Sequence, residues 1–154
     1  MPFGVAKIVY CGHAVKPEAS QIPAEFVTFD QLMMTSDFVI VCCAQTKENT
    51  GLLNVEAFKK MKRSAVLINT SRGGLVNQND LYDALKSGQI WGAGLDVTSP
   101  EPLPTDHPLL TLDNCVVLPH IGSATLDARN AMSALCARNI IEALHGRPMP
   151  AQIK

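Results

Sequence analysis

The sequence predicts an α/β fold built on a doubly wound parallel sheet, with helices on both faces of that sheet. Two observations support this prediction. Short apolar runs alternate along the chain with segments that carry helix-capping and helix-ending signals. The runs are apolar almost throughout, as in strands that are buried on both faces of a parallel sheet. Strands of this kind, alternating with helices, indicate the doubly wound arrangement.

Five apolar runs have the length of strands, at residues 6–10, 38–43, 65–69, 90–97 and 115–118. We expect a proline-bearing loop after the first of them. The helices between the later runs begin at recognisable caps. Thr28 and Gln31 have the spacing of a capping box, and Asn54 and Asn77 each precede a periodic apolar segment. The longest helix is expected to begin at Ser123 and to end near residue 144.

The composition excludes several classes of protein. The chain has 154 residues, of which 47% are hydrophobic and 18% charged. A charged share below about a quarter argues against disorder. It also suggests that part of the surface is covered by something outside this sequence. The net charge of -1 argues against a nucleic-acid partner. No apolar run approaches the roughly 18 residues of a membrane span, and no signal peptide is expected.

The cysteines indicate a reducing compartment. There are five of them, an odd number, and no Cys-x-x-Cys spacing occurs. We therefore expect free thiols, a cytoplasmic location and no metal site. The adjacent pair Cys42 and Cys43 is interpreted as core packing rather than as a redox site.

Polar residues follow the predicted strands, and the carboxyl ends of parallel strands share one edge of the sheet. Ligands bind at that edge in open α/β sheets. One alternative is that each residue is an ordinary turn residue; taken together, they favour a site. The residues are Gly12 and His13, then Ala44 and Gln45, then Asn69 to Arg72, then Asp96, and finally His120, Gly122 and Ser123.

Three side chains could perform chemistry, namely Arg72 and His120 at this edge and Glu101 in a proline-bearing loop that leads to it. Arg72, on a turn followed by two glycines, could offer parallel N–H donors to a carboxylate or a phosphate. Glu101 could keep the imidazolium of His120 populated near neutral pH. The alternatives are a solvated turn arginine, an ordinary loop carboxylate and a histidine that simply enters a helix. Spacing alone does not favour the Glu101–His120 pair.

Three motifs occur in series along the chain, at 69–73 (Asn-Thr-Ser-Arg-Gly), 94–97 (Gly-Leu-Asp-Val) with Glu101-Pro102, and 119–123 (Pro-His-Ile-Gly-Ser). Together they resemble one family, the D-isomer-specific 2-hydroxyacid dehydrogenases. Residues 96–110 are most similar to the members that reduce glyoxylate and hydroxypyruvate. The resemblance covers nearly the whole chain and implies a Rossmann-like fold.

The resemblance implies a role for each candidate residue. It assigns Arg72 to the substrate carboxylate and keto oxygen, His120 to the proton donor, and Glu101 to the partner of His120. It also places Ser123 beside the substrate. The cofactor residues that it implies are Gly12, His13, Ala44, Thr70, Asp96 and Gly122. The implied reaction is the reduction of a small 2-oxo acid to a D-2-hydroxy acid by a nicotinamide cofactor.

The resemblance also implies that parts are missing. Residues 1–122 match a nucleotide-binding domain that lacks its first strand and its Gly-rich turn, so the sheet is incomplete. Residues 123–154 match a helix and tail that would pack on an absent substrate domain. The expected partners are therefore the missing N-terminal half of the enzyme and, when complete, a second copy in a homodimer. The alternatives are a non-catalytic binding or regulatory module and an inactive truncated product.

The end of the first predicted strand bears on the cofactor. NAD-specific sites usually place an acid at the end of the second strand of the nucleotide fold, where it holds the ribose hydroxyls. The first strand predicted here corresponds to that second strand, since the resemblance implies that the fold's own first strand is missing. This chain has Cys11-Gly12-His13 at that point, with Lys16 close by. Because no acid is present to repel a 2′-phosphate, we expect NADP(H) to be favoured over NAD(H).

Overall fold

The computed structural model describes residues 4–152. The chain divides into two compact units, Met1–Pro119 and His120–Lys154. Among its described residues, the first unit holds six strands and three α-helices, in the order β1 (Ile8–Tyr10), β2 (Ala24–Phe26), α1 (Phe29–Thr35), β3 (Phe38–Val41), α2 (Val55–Lys60), β4 (Val66–Asn69), α3 (Gln78–Lys86), β5 (Gly92–Leu95) and β6 (Cys115–Val117). The second unit holds α4 (Leu126–Leu144).

The strands form two parallel sheets. One sheet pairs β1 with β2, and the other has the order β3-β4-β5-β6. The parallel α/β class and the Rossmann-like fold are confirmed. The strand β2 lies where the sequence predicts only a loop. It has three residues, Ala-Glu-Phe, which are too few for a hydrophobic period to be visible.

The core of the first unit lies on one face of the four-stranded sheet. Side chains that alternate along the strands, such as Val39, Leu67 and Ala93, are buried there against all three helices. On the opposite face of β3, Phe38 is 65% exposed and Ile40 is 58% exposed. Within this chain, the core face of the sheet is therefore buried, whereas the opposite face of β3 is exposed.

The predicted caps of the first three helices are confirmed. The hydroxyl of Thr28 accepts from the N–H of Gln31, which closes the capping box of α1. Asn54 accepts from the second and third N–H groups of α2, and Asn77 does so for α3. These bonds satisfy donors that have no partner inside the helix.

The fourth helix begins at Leu126, three residues after the predicted start at Ser123. Its cap is Thr125 rather than Ser123, because the Thr125 hydroxyl accepts from the N–H of Ala128 at 3.2 Å. None of its residues is buried, and Leu126 and Leu144 are among the most exposed apolar side chains. None of the helices within residues 4–152 is long and apolar enough to cross a membrane.

Candidate functional site

A cavity of about 790 Å³ opens at the carboxyl ends of β3 and β4. Four residues of the predicted edge site line it, namely Ala44, Gln45, Ser71 and Arg72. Its other lining residues are Cys42, Cys43, Thr46, Lys47 and Thr50. The cavity therefore lies where parallel sheets bind ligands.

The core-packing interpretation of the adjacent cysteines is wrong. Cys42 and Cys43 are both exposed. Pairing between β3 and β4 ends at Val41 and Asn69, so the two cysteines belong to the loop after the strand. All five cysteines are free thiols.

The turn that carries Arg72 is organised by Asn69, the last residue of β4, whose side chain is fully buried. Its amide nitrogen donates to the Arg72 carbonyl at 2.9 Å, and its amide oxygen accepts from the Ser71 N–H at 3.1 Å. The Ser71 hydroxyl donates to the Cys43 carbonyl, which ties the turn to the loop after β3. The backbone beneath Arg72 is thus fixed by side-chain bonds.

The side chain of Arg72 is exposed at the cavity. One guanidinium nitrogen donates to the Ser71 carbonyl at 2.7 Å. A guanidinium has five N–H donors in a planar fork. Most of them therefore stay available to an anion in the cavity.

The outer wall of the cavity is a loop stabilised by Asn49. Its amide donates to the Ala44 carbonyl at 2.8 Å and accepts from the Thr46 N–H at 2.7 Å. The hydroxyl of Thr50 donates to the Thr46 carbonyl at 2.8 Å. The positions of Ala44 and Thr46 are therefore set by bonds within residues 44–50.

The loop of Glu101 is packed against the Arg72 turn. A Cβ added to Gly73 would lie 2.0 Å from the backbone carbonyl of Thr98, so only glycine fits there. The Thr98 N–H donates to the Glu101 carboxylate at 3.2 Å. Gln78, the first residue of α3, exchanges two hydrogen bonds with the backbone of Ser99, of 2.7 and 2.8 Å. The structure thus brings the turn of Arg72 and the loop of Glu101 into contact.

Asp96 and Thr70 both lie near these loops. Asp96 is buried directly after β5, and its backbone N–H donates to the Asn69 carbonyl at 2.9 Å. Thr70 follows Asn69 and is exposed. Neither lines the cavity, so their roles towards a cofactor stay predictions.

The residues after β1 and the loop after β3 influence each other's pKa values. Burial, and secondarily the neighbouring thiol of Cys43, raises the pKa of Cys11. The pKa of Glu48 is lowered, first by a hydrogen bond from the Thr46 side chain and to a smaller degree by the charge of His13. Gly12 and His13 themselves are exposed.

Three predicted site residues lie in the second unit. His120 is exposed and has a φ of 54°, in the left-handed region that non-glycine residues rarely adopt. Gly122 is exposed and Ser123 is half-buried, and the N–H of Ala124 donates to the Ile121 carbonyl at 2.9 Å. Their catalytic and binding roles stay predictions.

Sequence reasoning missed Asn49 and Gln78, and it named Asn69 without giving it a structural role. Asn69 and Asn49 organise the two sides of the cavity, and Gln78 fixes the loop of Glu101. An asparagine directly after a strand is a signal for such a turn, because its side chain bonds nearby backbone. Nothing in the sequence singles out Gln78. Within residues 4–152 no three His, Cys, Asp or Glu side chains are grouped as metal ligands.

The sequence matches one known family and several known proteins. The family model described as D-isomer specific 2-hydroxyacid dehydrogenase, NAD binding domain, matches residues 1–122. The chain is 57% identical to glyoxylate reductase/hydroxypyruvate reductase of Homo sapiens over 154 residues, covering 99% of this chain and 47% of that protein. It is 49% identical to glyoxylate reductase of Thermofilum pendens, covering 84% of this chain and 38% of that protein. The chain thus spans less than half the length of these relatives.

Solved structures show the same fold, and this chain again covers less than half of each of them. The TT0316 protein of Thermus thermophilus has a TM-score of 0.90 at 41% identity, covering 96% of this chain and 46% of that one. The D-lactate dehydrogenase with NAD+ from Lactobacillus jensenii has a TM-score of 0.88 at 25% identity, covering 97% of this chain and 48% of that one.

Proposed function

Because the chain belongs to the family of D-isomer specific 2-hydroxyacid dehydrogenases, we propose that it is the nucleotide-binding, C-terminal half of an enzyme that reduces glyoxylate or hydroxypyruvate to a D-2-hydroxy acid. The observation that carries the proposal is Arg72, an exposed arginine on a fixed turn beside a cavity of about 790 Å³. The 57% identity to the human reductase supports the choice of substrates.

Arg72 binds the substrate in this proposal. A planar guanidinium matches the two oxygens of a carboxylate, and it can reach the keto oxygen of the same 2-oxo acid. The Asn69 bond to the Arg72 carbonyl fixes the backbone from which the side chain extends. A substrate held in the reactive orientation reacts faster than one that rotates freely.

His120 donates a proton to the carbonyl oxygen, and Ser123 contributes to substrate binding. Glu101 is assigned as the partner of His120, as the family motif implies. The charge that develops on the carbonyl oxygen is neutralised by that proton. The three assignments rest on the family motifs at residues 94–102 and 119–123.

The residues present fit one end of a nicotinamide cofactor. The cavity offers amide and hydroxyl groups of Gln45, Thr46 and Thr50, which suit a ribose or a carboxamide. When bound, the cofactor supplies the hydride that reduces the carbonyl carbon. A Gly-x-Gly-x-x-Gly turn for its phosphates does not occur in this sequence. We assign cofactor contacts to Gly12, His13, Ala44, Thr70, Asp96 and Gly122.

We assign NADP(H) as the favoured cofactor. No acid follows β1, where an NAD-specific site would hold the ribose hydroxyls. His13 stands there instead. In the completed enzyme, His13→Glu should reduce the preference for NADPH over NADH at least about tenfold in kcat/KM, equal to roughly 1.4 kcal/mol.

The remaining assignments concern assembly. Residues 123–154 would pack on the substrate domain, and the complete enzyme would form a homodimer. The exposed apolar side chains of α4, among them Leu126 and Leu144, support both assignments. Five free thiols support a cytoplasmic location.

A second candidate is a non-catalytic binding module or an inactive truncated product. The observation that favours it is the span of 47% of the human relative, since a cleft needs both of its walls. One experiment separates the two candidates. This chain is produced alone and also fused in place of the matched region of the human relative, and NADPH oxidation is followed with glyoxylate and hydroxypyruvate.

The proposal predicts turnover by the fusion and none by the chain alone. A fusion that folds but turns over neither acid would contradict the dehydrogenase assignment. Binding of NADPH without turnover by that fusion would favour the non-catalytic module.

A further inference from the structure

Two neighbouring cysteines line the candidate cavity, and the proposed reaction gives them no role. Cys42 and Cys43 follow β3 directly, and both are exposed free thiols. Cysteine thiolates are strong nucleophiles, and access from solvent allows them to react with small reagents. The pair therefore calls for a chemical interpretation of its own.

The backbone of Cys43 is held against the turn of Arg72. The Ser71 hydroxyl donates to the Cys43 carbonyl. The Ser71 N–H in turn donates to the side chain of Asn69 at 3.1 Å. Cys43 and Arg72 are thus presented to the cavity from two segments that are hydrogen-bonded to each other.

The wall of the cavity carries positive charge beside the thiols. Lys47 and Arg72 both line it, and both are exposed. Among the described residues that line the cavity, none is acidic. An anionic reagent is therefore attracted to this wall, and the attraction weakens as salt screens the charges.

The cavity is large enough for a reagent the size of a short peptide. Its volume of about 790 Å³ lies within the range of about 300–1,000 Å³ that is typical of small-molecule sites. Gln45, Thr46 and Thr50 also line it. Their amide and hydroxyl groups can hydrogen-bond to peptide groups and carboxylates.

An adduct on this pair would resist expulsion by a neighbouring thiol. Consecutive Cα atoms lie about 3.8 Å apart, whereas disulfide-bonded cysteines usually have Cα atoms about 4.4–6.8 Å apart. A disulfide between Cys42 and Cys43 is therefore disfavoured. Cys11 is another thiol near the pair, but burial, and secondarily the Cys43 thiol, raises its pKa. Less of the attacking thiolate is then present at Cys11.

We infer that Cys42 and Cys43 form a modification site for small disulfides that carry carboxylates, and that the adduct closes the cavity to substrate and cofactor. The thiolate of one cysteine attacks a sulfur of the reagent, whose S–S bond breaks as the mixed disulfide forms. The departing thiolate takes up, through water, the proton that the cysteine has lost. The protein thiol is thereby oxidised and one half of the reagent is reduced.

The carboxylates of the bound half lie against Lys47 and Arg72, which line the same cavity. The closure of the cavity rests on the proposed function, since it concerns the ligands of that reaction. The modification itself requires no catalysis.

The test treats this chain with glutathione disulfide, which is anionic, and separately with cystamine, which is cationic. Mass spectrometry of peptides follows the adduct at each cysteine. Cys136 is an internal control, because it is exposed but belongs to α4 and does not line the cavity. We compare the initial rate at Cys42 and Cys43, divided by the rate at Cys136, for the two reagents.

This ratio should be at least about threefold higher with glutathione disulfide than with cystamine. The difference should disappear in about 1 M salt, where the screening length is about 3 Å.

Substitutions test the recognition of the carboxylates. Lys47→Gln and Arg72→Gln should each lower the ratio for glutathione disulfide at least about twofold. Arg63→Gln, at an exposed arginine after α2, should leave it unchanged. The double variant Cys42→Ser/Cys43→Ser should lose the charge-dependent adduct. If a variant fails to fold, the comparison of the two reagents on the parent chain decides.

The closure of the cavity is tested in the fusion with the human relative. Glutathione disulfide should lower NADPH oxidation in proportion to the adduct on Cys42 and Cys43, and dithiothreitol should restore it. The double variant should lose a smaller fraction of its own activity on the same treatment.

Three results would overturn the inference. They are equal ratios for the two reagents, adducts on other cysteines but not on Cys42 or Cys43, and adducts on this pair that leave NADPH oxidation by an active fusion unchanged. The expected adduct on a fusion that does not oxidise NADPH even before treatment would contradict the proposed function and leave the modification site supported.

Discussion

The side-chain amide of Asn69 donates to the backbone carbonyl of Arg72 at 2.9 Å, so a fully buried residue fixes the turn of an exposed one. The same amide accepts from the Ser71 N–H at 3.1 Å. Both ends of the amide are used, and each satisfies a backbone group. The position of the candidate substrate-binding residue thus depends on a side chain that faces the core.

Removing that amide should destabilise the protein. Asn69→Leu leaves the Ser71 N–H and the Arg72 carbonyl without their partner, and each unsatisfied group costs about 1–3 kcal/mol. We expect the free energy of unfolding in urea to fall by at least about 2 kcal/mol. Asn79→Leu, at an exposed position of α3, should change it by less than about 0.5 kcal/mol. Equal effects of the two substitutions would contradict the role given to Asn69.

Gly73 should tolerate no side chain. A Cβ there would lie 2.0 Å from the Thr98 carbonyl carbon and oxygen, which are backbone atoms that cannot rotate away. Gly73→Ala should lower stability by about 3 kcal/mol or prevent folding. Gly12→Ala, where nothing lies within 4 Å, should change the melting temperature little.

Gly74→Ala provides an intermediate case. Its Cβ would meet the Gln45 side chain at 2.5 Å, and that side chain can move. We expect a smaller loss than for Gly73→Ala, of about 1 kcal/mol. A melting temperature for Gly73→Ala at or above that of Gly74→Ala would show that the close approach to Thr98 is not rigid.

The thiol of Cys115 should react slowly at neutral pH. Burial raises its pKa to about 11. Its alkylation by iodoacetamide, followed by mass spectrometry, should therefore keep accelerating as the pH approaches that value, because the thiolate is the nucleophile. A rate that levels off near pH 8.5, the usual range of a free thiol, would contradict the burial effect.

The same shift makes stability depend on pH. Between about pH 8.5 and the folded-state value, the unfolded chain loses the Cys115 proton while the folded chain keeps it. The unfolded state then binds fewer protons, so stability falls as the pH rises through this window. Cys115→Ser should reduce that slope, measured as the free energy of unfolding in urea at several pH values.

His120 should affect turnover more than cofactor binding. In the fusion with the remainder of the human relative, His120→Ala removes the proposed proton donor, which is typically worth about 100- to 10,000-fold in rate. We expect kcat to fall within that range while the Kd for NADPH, measured by fluorescence titration, stays within about threefold. Loss of NADPH binding instead would give His120 a structural role.

The sequence predicted the features that follow from local chemistry. The caps at Thr28, Asn54 and Asn77 form as expected, because each depends on a side chain and an N–H two or three residues away. The cluster of polar residues after β3 and β4 was also predicted, because the ends of parallel strands share one edge.

The missed features depend on contacts that are distant in the chain. Gln78 bonds Ser99 across 21 residues, and no local pattern reports such a pair. The cysteines at 42 and 43 were expected inside because the apolar run continues through them, but strand pairing ends at Val41. The strand β2 is only three residues long and is defined by its pairing with β1 rather than by its own period.

The central claim is that Arg72 binds the carboxylate of a 2-oxo acid. The measurement that tests it most directly is steady-state NADPH oxidation by the fusion at varied glyoxylate concentrations, for Arg72→Ala and for Arg63→Ala, an exposed arginine after α2. The account predicts that Arg72→Ala raises KM steeply and lowers kcat, with a loss of kcat/KM of at least about 100-fold, and that Arg63→Ala leaves both unchanged. Near-parental KM and kcat for Arg72→Ala would contradict it.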